Sequence, residues 1–135
     1  MREAVVVSYA RTGLAKSQRV ARLGSWEWEA GSGRLYRSDE VHSITGIRPE
    51  VFPATLPELL ALVHPDDRDR VREAAARWKE ADGSETIEFR LQRADGTTRF
   101  AHCQVEAERD ATGRLVRLHG IVQDVTERRQ AEDRI

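Results

Sequence analysis

The run IEFRLQRADGTTRFAHCQVEAERDATGRLVRLHGIVQD, residues 87–124, contains three alternating stretches separated by two turn signals. Ile87, Phe89 and Leu91 alternate with Glu88, Arg90 and Gln92, a period of two that gives a strand one apolar face. Ala94-Asp95-Gly96 supplies a hairpin turn. The second stretch sets Ala101, Cys103, Val105 and Ala107 on one face and Phe100, His102, Gln104 and Glu106 on the other. After a turn at residues 110–114, Val116, Leu118, Gly120 and Val122 share a face. The pattern predicts three long antiparallel strands in succession. Ala101, Cys103, Ala107 and Gly120 are small, leaving room above the sheet for a close helix or a small molecule.

Upstream of this core the elements shorten. Trp26 and Trp28 alternate with Ser25, Glu27 and Glu29, and Gly31-Ser32-Gly33 turns the chain into a short partner strand, Arg34 to Arg37. Ser38 or Asp39 caps a short helix through Val41 and Ile44, ended near Gly46 and blocked by Pro49. Leu56, Leu59, Leu60 and Val63 mark a second short helix. In HPDDRDRVREAAARWKEADG, residues 64–83, His64 or the residue before it caps, Pro65 takes the first helical position, and Asp66 and Asp67 face the positive end of the helix dipole. Val71, Ala74, Ala75 and Trp78 form one inward stripe, and Gly83 ends the helix. The charged run at 66–70 reads as a solvated face.

Composition limits the function. A chain of 135 residues suits one domain, hence one site and no interdomain cleft. Hydrophobic residues make up 39% and charged residues 33%, and 22 Lys+Arg balance 23 Asp+Glu to a net charge of -1. That neutrality argues against nucleic acid or an anionic membrane as the main partner. The apolar run Ala4–Val7 is far too short for a membrane span or signal-peptide core, so a cytoplasmic location is expected. The single cysteine, Cys103, excludes an internal disulfide and gives no metal-ligand spacing.

No catalytic set emerges. His64 reads as a helix-start residue, His42 as exposed on a short helix, and His102 and His119 as surface or dimer-contact positions opposite the small-residue stripes. Cys103 has no paired base or helix terminus to ionise it and reads as a small core residue. Trp26 and Trp28 suit either a stacked planar ligand or the core, and Trp78 could close a pocket. Tyr36 and Arg90 are ambiguous.

The order of elements predicts an α+β sheet with helices on one face. At this point LGSWEWEAGSGRLYRSDEVHSITG, VHPDDRDRV, IEFRLQRADGTTRFAHCQ and GIVQDVTERRQAE together resemble the PAS domains of bacterial sensor proteins, over roughly residues 20–130. The resemblance implies a five-stranded antiparallel sheet of order 2-1-5-4-3 with helices enclosing a pocket over one face. It implies a signalling module that binds a small ligand or a partner, often dimerises, and drives an effector of the histidine kinase or diguanylate cyclase type. The alternative is a ligand-free dimerisation module. Pocket candidates on this reading are Trp28, Phe89, Ala101, Cys103, Leu118 and Gly120. No haem or flavin-adduct motif is evident, since the Asn-Cys-Arg type helix of light-sensing relatives is absent, and the cofactor is left unknown.

The same resemblance makes Asp124-Val125-Thr126 the junction between the sheet and a linker helix. Asp124 and Glu127 also have the form of a capping box, and Arg128, Ala131 and Ile135 make a weak seam. The expected organisation is an N-terminal extension over 1–19, a sensor domain over 20–126 and the start of a linker helix over 127–135. Residues 2–17, REAVVVSYARTGLAKS, are similar to the first strand and loop of thiolases, the enzymes of acyl-CoA condensation. That family's cysteine nucleophile and base histidine match no positions here, so no activity is carried over.

Overall fold

The computed structural model of the chain describes residues 23–53, 55–80 and 83–133. The extension over 1–19, its short strand, the thiolase-like stretch and Ile135 of the expected seam lie outside these residues. The alternating stretches form β1 (Leu23–Glu29), β2 (Leu35–Arg37), β3 (Ser84–Gln92), β4 (Thr98–Arg109) and β5 (Leu115–Asp124). They make one antiparallel sheet of order β2-β1-β5-β4-β3, the order the family likeness implied. The last strand therefore lies at the centre, paired with β1 from Leu23↔Gln123 to Glu29↔Arg117 and with β4 from Ala101↔Asp124 onward.

The helices are α1 (Asp39–Thr45), α2 (Leu56–Leu59), α3 (Arg68–Glu80) and α4 (Thr126–Asp133). Helix α1 buries Val41 and Ile44 and ends at Gly46, whose φ of 73° suits only a residue without a Cβ. Ser38 makes no side-chain cap to α1. Its Oγ accepts the Ser25 N–H at 2.9 Å and its own N–H reaches the Ser25 carbonyl at 2.9 Å, stitching the helix entrance to β1. Gly24 completes the contact, because a Cβ there would lie 2.6 Å from Val41 Cγ2.

Helix α3 packs its stripe inward, with Ala74 fully buried in a cluster with Ile87, Cys103, Val105 and Leu118, against which Val71, Trp78, Trp26 and Trp28 pack. A 3-10 turn, Pro65–Asp67, precedes it, and His64 Nδ1 accepts the Asp66 N–H at 3.1 Å as the cap.

The placement of one polar residue is corrected, and two more prove buried. Asp67 was assigned to a solvated face, but it is buried against the free edge of β3. Its Oδ2 accepts the Arg90 backbone N–H at 2.8 Å and Arg90 Nε at 3.1 Å, while Oδ1 accepts Arg90 NH2 at 2.8 Å. The His64 N–H donates to the Arg90 carbonyl at 2.8 Å, and Val63 bridges to Leu91. An edge strand presents unpaired backbone groups, and this segment satisfies those of Arg90. On β1, Ser25 and Glu27 lie opposite the tryptophans yet are each only 1% exposed. Glu27 tolerates burial because Arg117 on the neighbouring strand comes within 3.4 Å, itself paired to Glu108 at 2.8 Å.

The Arg90 hydrogen bonds hold the Asp67 carboxyl at about 2 against its burial. A depressed carboxyl contributes its stability above its unfolded value of about 3.9 and loses it as pH falls through the folded value. Asp67→Asn is therefore expected to cost about 1.5 kcal/mol at neutral pH, discounted because Arg90 is partly solvated. In urea unfolding the gap between wild type and variant should narrow below about pH 4 and close near about pH 2. A gap that is constant with pH would refute the ion-pair account.

Candidate functional site

The six pocket candidates all fall on the helix-covered face of the sheet. Trp28 lies opposite Leu118, and Phe89 lies opposite Ala101. Cys103 lies between Ile87 and Val122, and Gly120 between Trp26 and Val105. Ala101 and Leu118 are fully buried, and Cys103 is buried. Two of the three core clusters share them. Cys103 and Leu118 pack with α3, whereas Ala101 packs with Ile44 of α1 and Leu91.

The missing side chain at Gly120 does not open room above the sheet as the sequence suggested. A Cβ there would collide with the Gln104 carbonyl oxygen, so glycine is needed for the close approach of β4 and β5. The indole nitrogens of Trp26 and Trp78 are buried and find no hydrogen-bond partner among the described residues. Unpaired buried donors carry a desolvation cost, which a polar atom brought within reach would offset. A separate open cleft, lined by Glu29, Ala30, Gly31, Arg114, Leu115 and Val116, contains none of the six candidates.

Burial pushes the Cys103 thiol up to about 12 and outweighs the opposing contact with the Trp26 side chain, which does not reach hydrogen-bond geometry. The thiol is thus a neutral core group. His42 is half-buried and not exposed as expected, with Nδ1 3.0 Å from the Ile47 carbonyl and Nε2 3.3 Å from Arg37 Nε. A carbonyl only accepts and a guanidinium only donates, so Nδ1 carries the proton and Nε2 accepts. His102 and His119 lie on the outer face, across from Glu88 and Glu27 respectively. Among the described residues no three His, Cys, Asp or Glu side chains converge as metal ligands.

The junction is the most densely bonded part of the site. Asp124 Oδ1 accepts the Thr126 N–H at 3.0 Å and the Thr126 hydroxyl at 2.6 Å. Its Oδ2 accepts Arg99 Nε and NH2, both at 2.8 Å. Thr126 Oγ1 in turn accepts the Phe100 N–H at 2.8 Å, and the Val125 N–H donates to the Phe100 carbonyl at 2.8 Å. Burial pushes the Asp124 carboxyl up, but the Thr126 hydroxyl and amide and the Arg99 guanidinium outweigh it and the net shift is downward. Val125 and Thr126 are buried. Glu127, expected as the second half of a capping box, is exposed; Thr126 bonds back to β4 instead. Arg99 and Phe100 were missed in the sequence. No signal in the sequence sets that register: a bulge between Glu108 and Arg109 shifts the β4–β5 pairing by one residue, so counting outward from the turn does not bring Asp124 opposite Ala101.

A family model described as the PAS fold matches residues 34–122. The chain belongs to the PAS family. It is a PAS sensor module, 29% identical over 110 residues to the sensor protein FixL of Bradyrhizobium diazoefficiens and 35% identical over 113 residues to a blue-light-activated histidine kinase of Brucella ovis. These matches cover 82% and 84% of the chain but only 22% of either relative, so the chain spans about a fifth of their length. The structure of a sensory box histidine kinase/response regulator from Burkholderia thailandensis superposes with a TM-score of 0.73 at 28% identity, covering 90% of each chain. The match places the PAS fold on the observed sheet order. No helix among the described residues is long and apolar enough to cross a membrane.

A neutral, buried Cys103 should label with a thiol reagent only as fast as the PAS module opens, and denaturant should accelerate the reaction sharply. Prompt stoichiometric labelling of the native protein would show that the thiol is exposed and ionised.

Proposed function

We propose that this PAS module senses a small molecule held between the short helices and the inner sheet face, and relays its binding through Asp124-Val125-Thr126 into α4. The observation that carries the proposal is one cross-strand row. Phe89, Ala101 and Asp124 lie side by side on β3, β4 and β5. The pocket wall and the junction carboxylate are therefore neighbours, and a ligand that shifts Ala101 acts on the strand that Asp124 and Thr126 hold. Trp28, Cys103, Leu118 and Gly120 complete the wall, and the unpaired indole donors of Trp26 and Trp78 favour a ligand with hydrogen-bond acceptors.

On this reading residues 20–126 are the non-catalytic sensor domain, 127–135 begin the linker, and the effector is a histidine kinase or diguanylate cyclase domain in a longer cytoplasmic protein. The histidine kinase relatives support that class of effector. A second reading is a ligand-free module that dimerises through its N-terminal segment or outer sheet face. It is favoured by the close packing of Ala101 and Leu118, both without exposed surface.

Native mass spectrometry with an absorption spectrum of the same sample separates the two. A bound mass or chromophore band is expected for the sensor, while a bare dimer that takes up no added metabolite supports the ligand-free module. For the relay, Asp124→Ala removes the cap and the partner of Arg99, with an expected stability loss of about 2 kcal/mol. Thr126→Val leaves the Phe100 N–H unpaired and should cost about 1–2 kcal/mol. Both variants should alter effector output in the longer protein. Unchanged output from two destabilised junctions would reject the relay.

A further inference from the structure

Arg37, the last residue of β2, and His42 of α1 meet over one aromatic ring. The Arg37 guanidinium lies 4.5 Å from the centroid of the Phe52 ring, and the His42 ring meets the same ring edge-on with centroids 5.1 Å apart. Phe52 is buried and follows a 3-10 turn, Pro49–Val51. It packs with Leu35 and Val41, and Trp26, Trp28 and Val122 of the inner sheet face lie against the same cluster. Phe52 therefore seats the turn on the Trp28 side of the candidate wall.

Three acceptors hold Arg37 in place. NH1 donates to the Leu35 carbonyl at 3.3 Å, NH2 to the Pro49 carbonyl at 3.2 Å, and Nε to His42 Nε2 at 3.3 Å. Only the third can be withdrawn, because a carbonyl always accepts whereas an imidazole nitrogen accepts only while it is unprotonated. His42 Nδ1–H is committed to the Ile47 carbonyl at 3.0 Å, so an added proton goes to Nε2. That proton ends the hydrogen bond and sets an imidazolium against a guanidinium. Charged neighbours along the chain are Asp39 and Glu40 of α1, Arg48 before the turn and Glu50 within it. On β1 and β5, against which α1 packs, Glu27, Glu29, Arg117 and His119 lie on the outer face and Asp124 pairs with Arg99. His64 and His102 each have a carboxylate at 3.9 Å, but among the described residues none comes that close to His42, so none is at hand to balance the added charge.

We propose that His42 is a proton-sensitive pin: while neutral it keeps Arg37 seated on Phe52 and the turn closed over the inner sheet face, and when protonated it lets the turn open. Burial lowers the Arg37 guanidinium from its ordinary value, so the loss of one acceptor falls on a cation already short of solvent. Acid then uncovers the Trp28 side of the wall, and proton uptake becomes an input to the module in its own right. The pin needs neither a bound molecule nor an effector, so it fails or holds separately from the ligand relay.

Nuclear magnetic resonance of this chain between about pH 8 and about pH 5, a range that brackets ordinary histidine titration, tests the pin. At the upper end the His42 ring should be the Nδ1–H tautomer. As the ring takes up its proton, exchange protection of the Val51 and Phe52 amides, corrected for the intrinsic pH dependence of exchange, should fall by about tenfold, the factor for one lost hydrogen bond to a charged group. Amides at the centre of β4 and β5 should keep theirs. His42→Gln supplies an acceptor that does not titrate and should hold the turn closed at both ends of the range. Arg37→Met removes the cation and should leave the turn equally open at both. The pin is overturned if protection at Val51 and Phe52 is unchanged while His42 titrates, if the ring takes up no proton in this range, or if either variant keeps the wild-type pH dependence.

Discussion

The structure depends on the pairing of its first described strand with its last. β5 has β1 on one side and β4 on the other, from Leu23↔Gln123 on one flank and Ala101↔Asp124 on the other. Until β5 is in place, the β1–β2 hairpin and the β3–β4 hairpin have no strand to join them into one sheet. The loop-closure entropy of bringing residues so far apart together is offset only when a whole strand pairs on both sides. The inner faces then close over Cys103, Val105 and Leu118, and α3 seals them through Ala74.

A central last strand also explains why the output leaves from the middle of the sheet. Among the described residues the same Asp-x-Thr chemistry occurs three times. Asp95 takes the Thr97 N–H and hydroxyl at 2.9 and 2.6 Å, Asp110 takes those of Thr112 at the same distances, and Asp124 takes those of Thr126. The first two are exposed and make hairpin turns, closed by Gly96 and Gly113 at φ of 88° and 86°. The third is followed by valine and glutamate, not by glycine, so the chain continues into a helix. Only there does the carboxylate gain a distant arginine, Arg99, and the threonine accept a distant amide, that of Phe100.

The strands were legible because alternation is a local signal with a period of two, and the turns because Asp-Gly and Thr-Gly positions carry their own backbone preferences. The helical stripe of α3 was legible for the same reason. Polar residues were read less well. Asp67 and His42 looked like solvated surface and Glu27 carried no signal of burial, yet each is drawn inward by a cation from another element: Arg90, Arg37 and Arg117 for Asp67, His42 and Glu27 respectively. The separations are 23 residues for Asp67, 90 for Glu27 and 5 for His42, and only that of His42 is short enough to suspect from sequence.

The amino-acid sequence by itself determined the elements, their order, the family likeness and the face on which the candidate residues lie, because these follow from periodicity and turn chemistry within short windows. The tertiary structure alone decided which polar groups are buried, that Gly120 serves a strand contact, and that Asp124 meets Arg99. Those outcomes depend on which strands become neighbours, and a buried charge or an approaching backbone is defined only once they do.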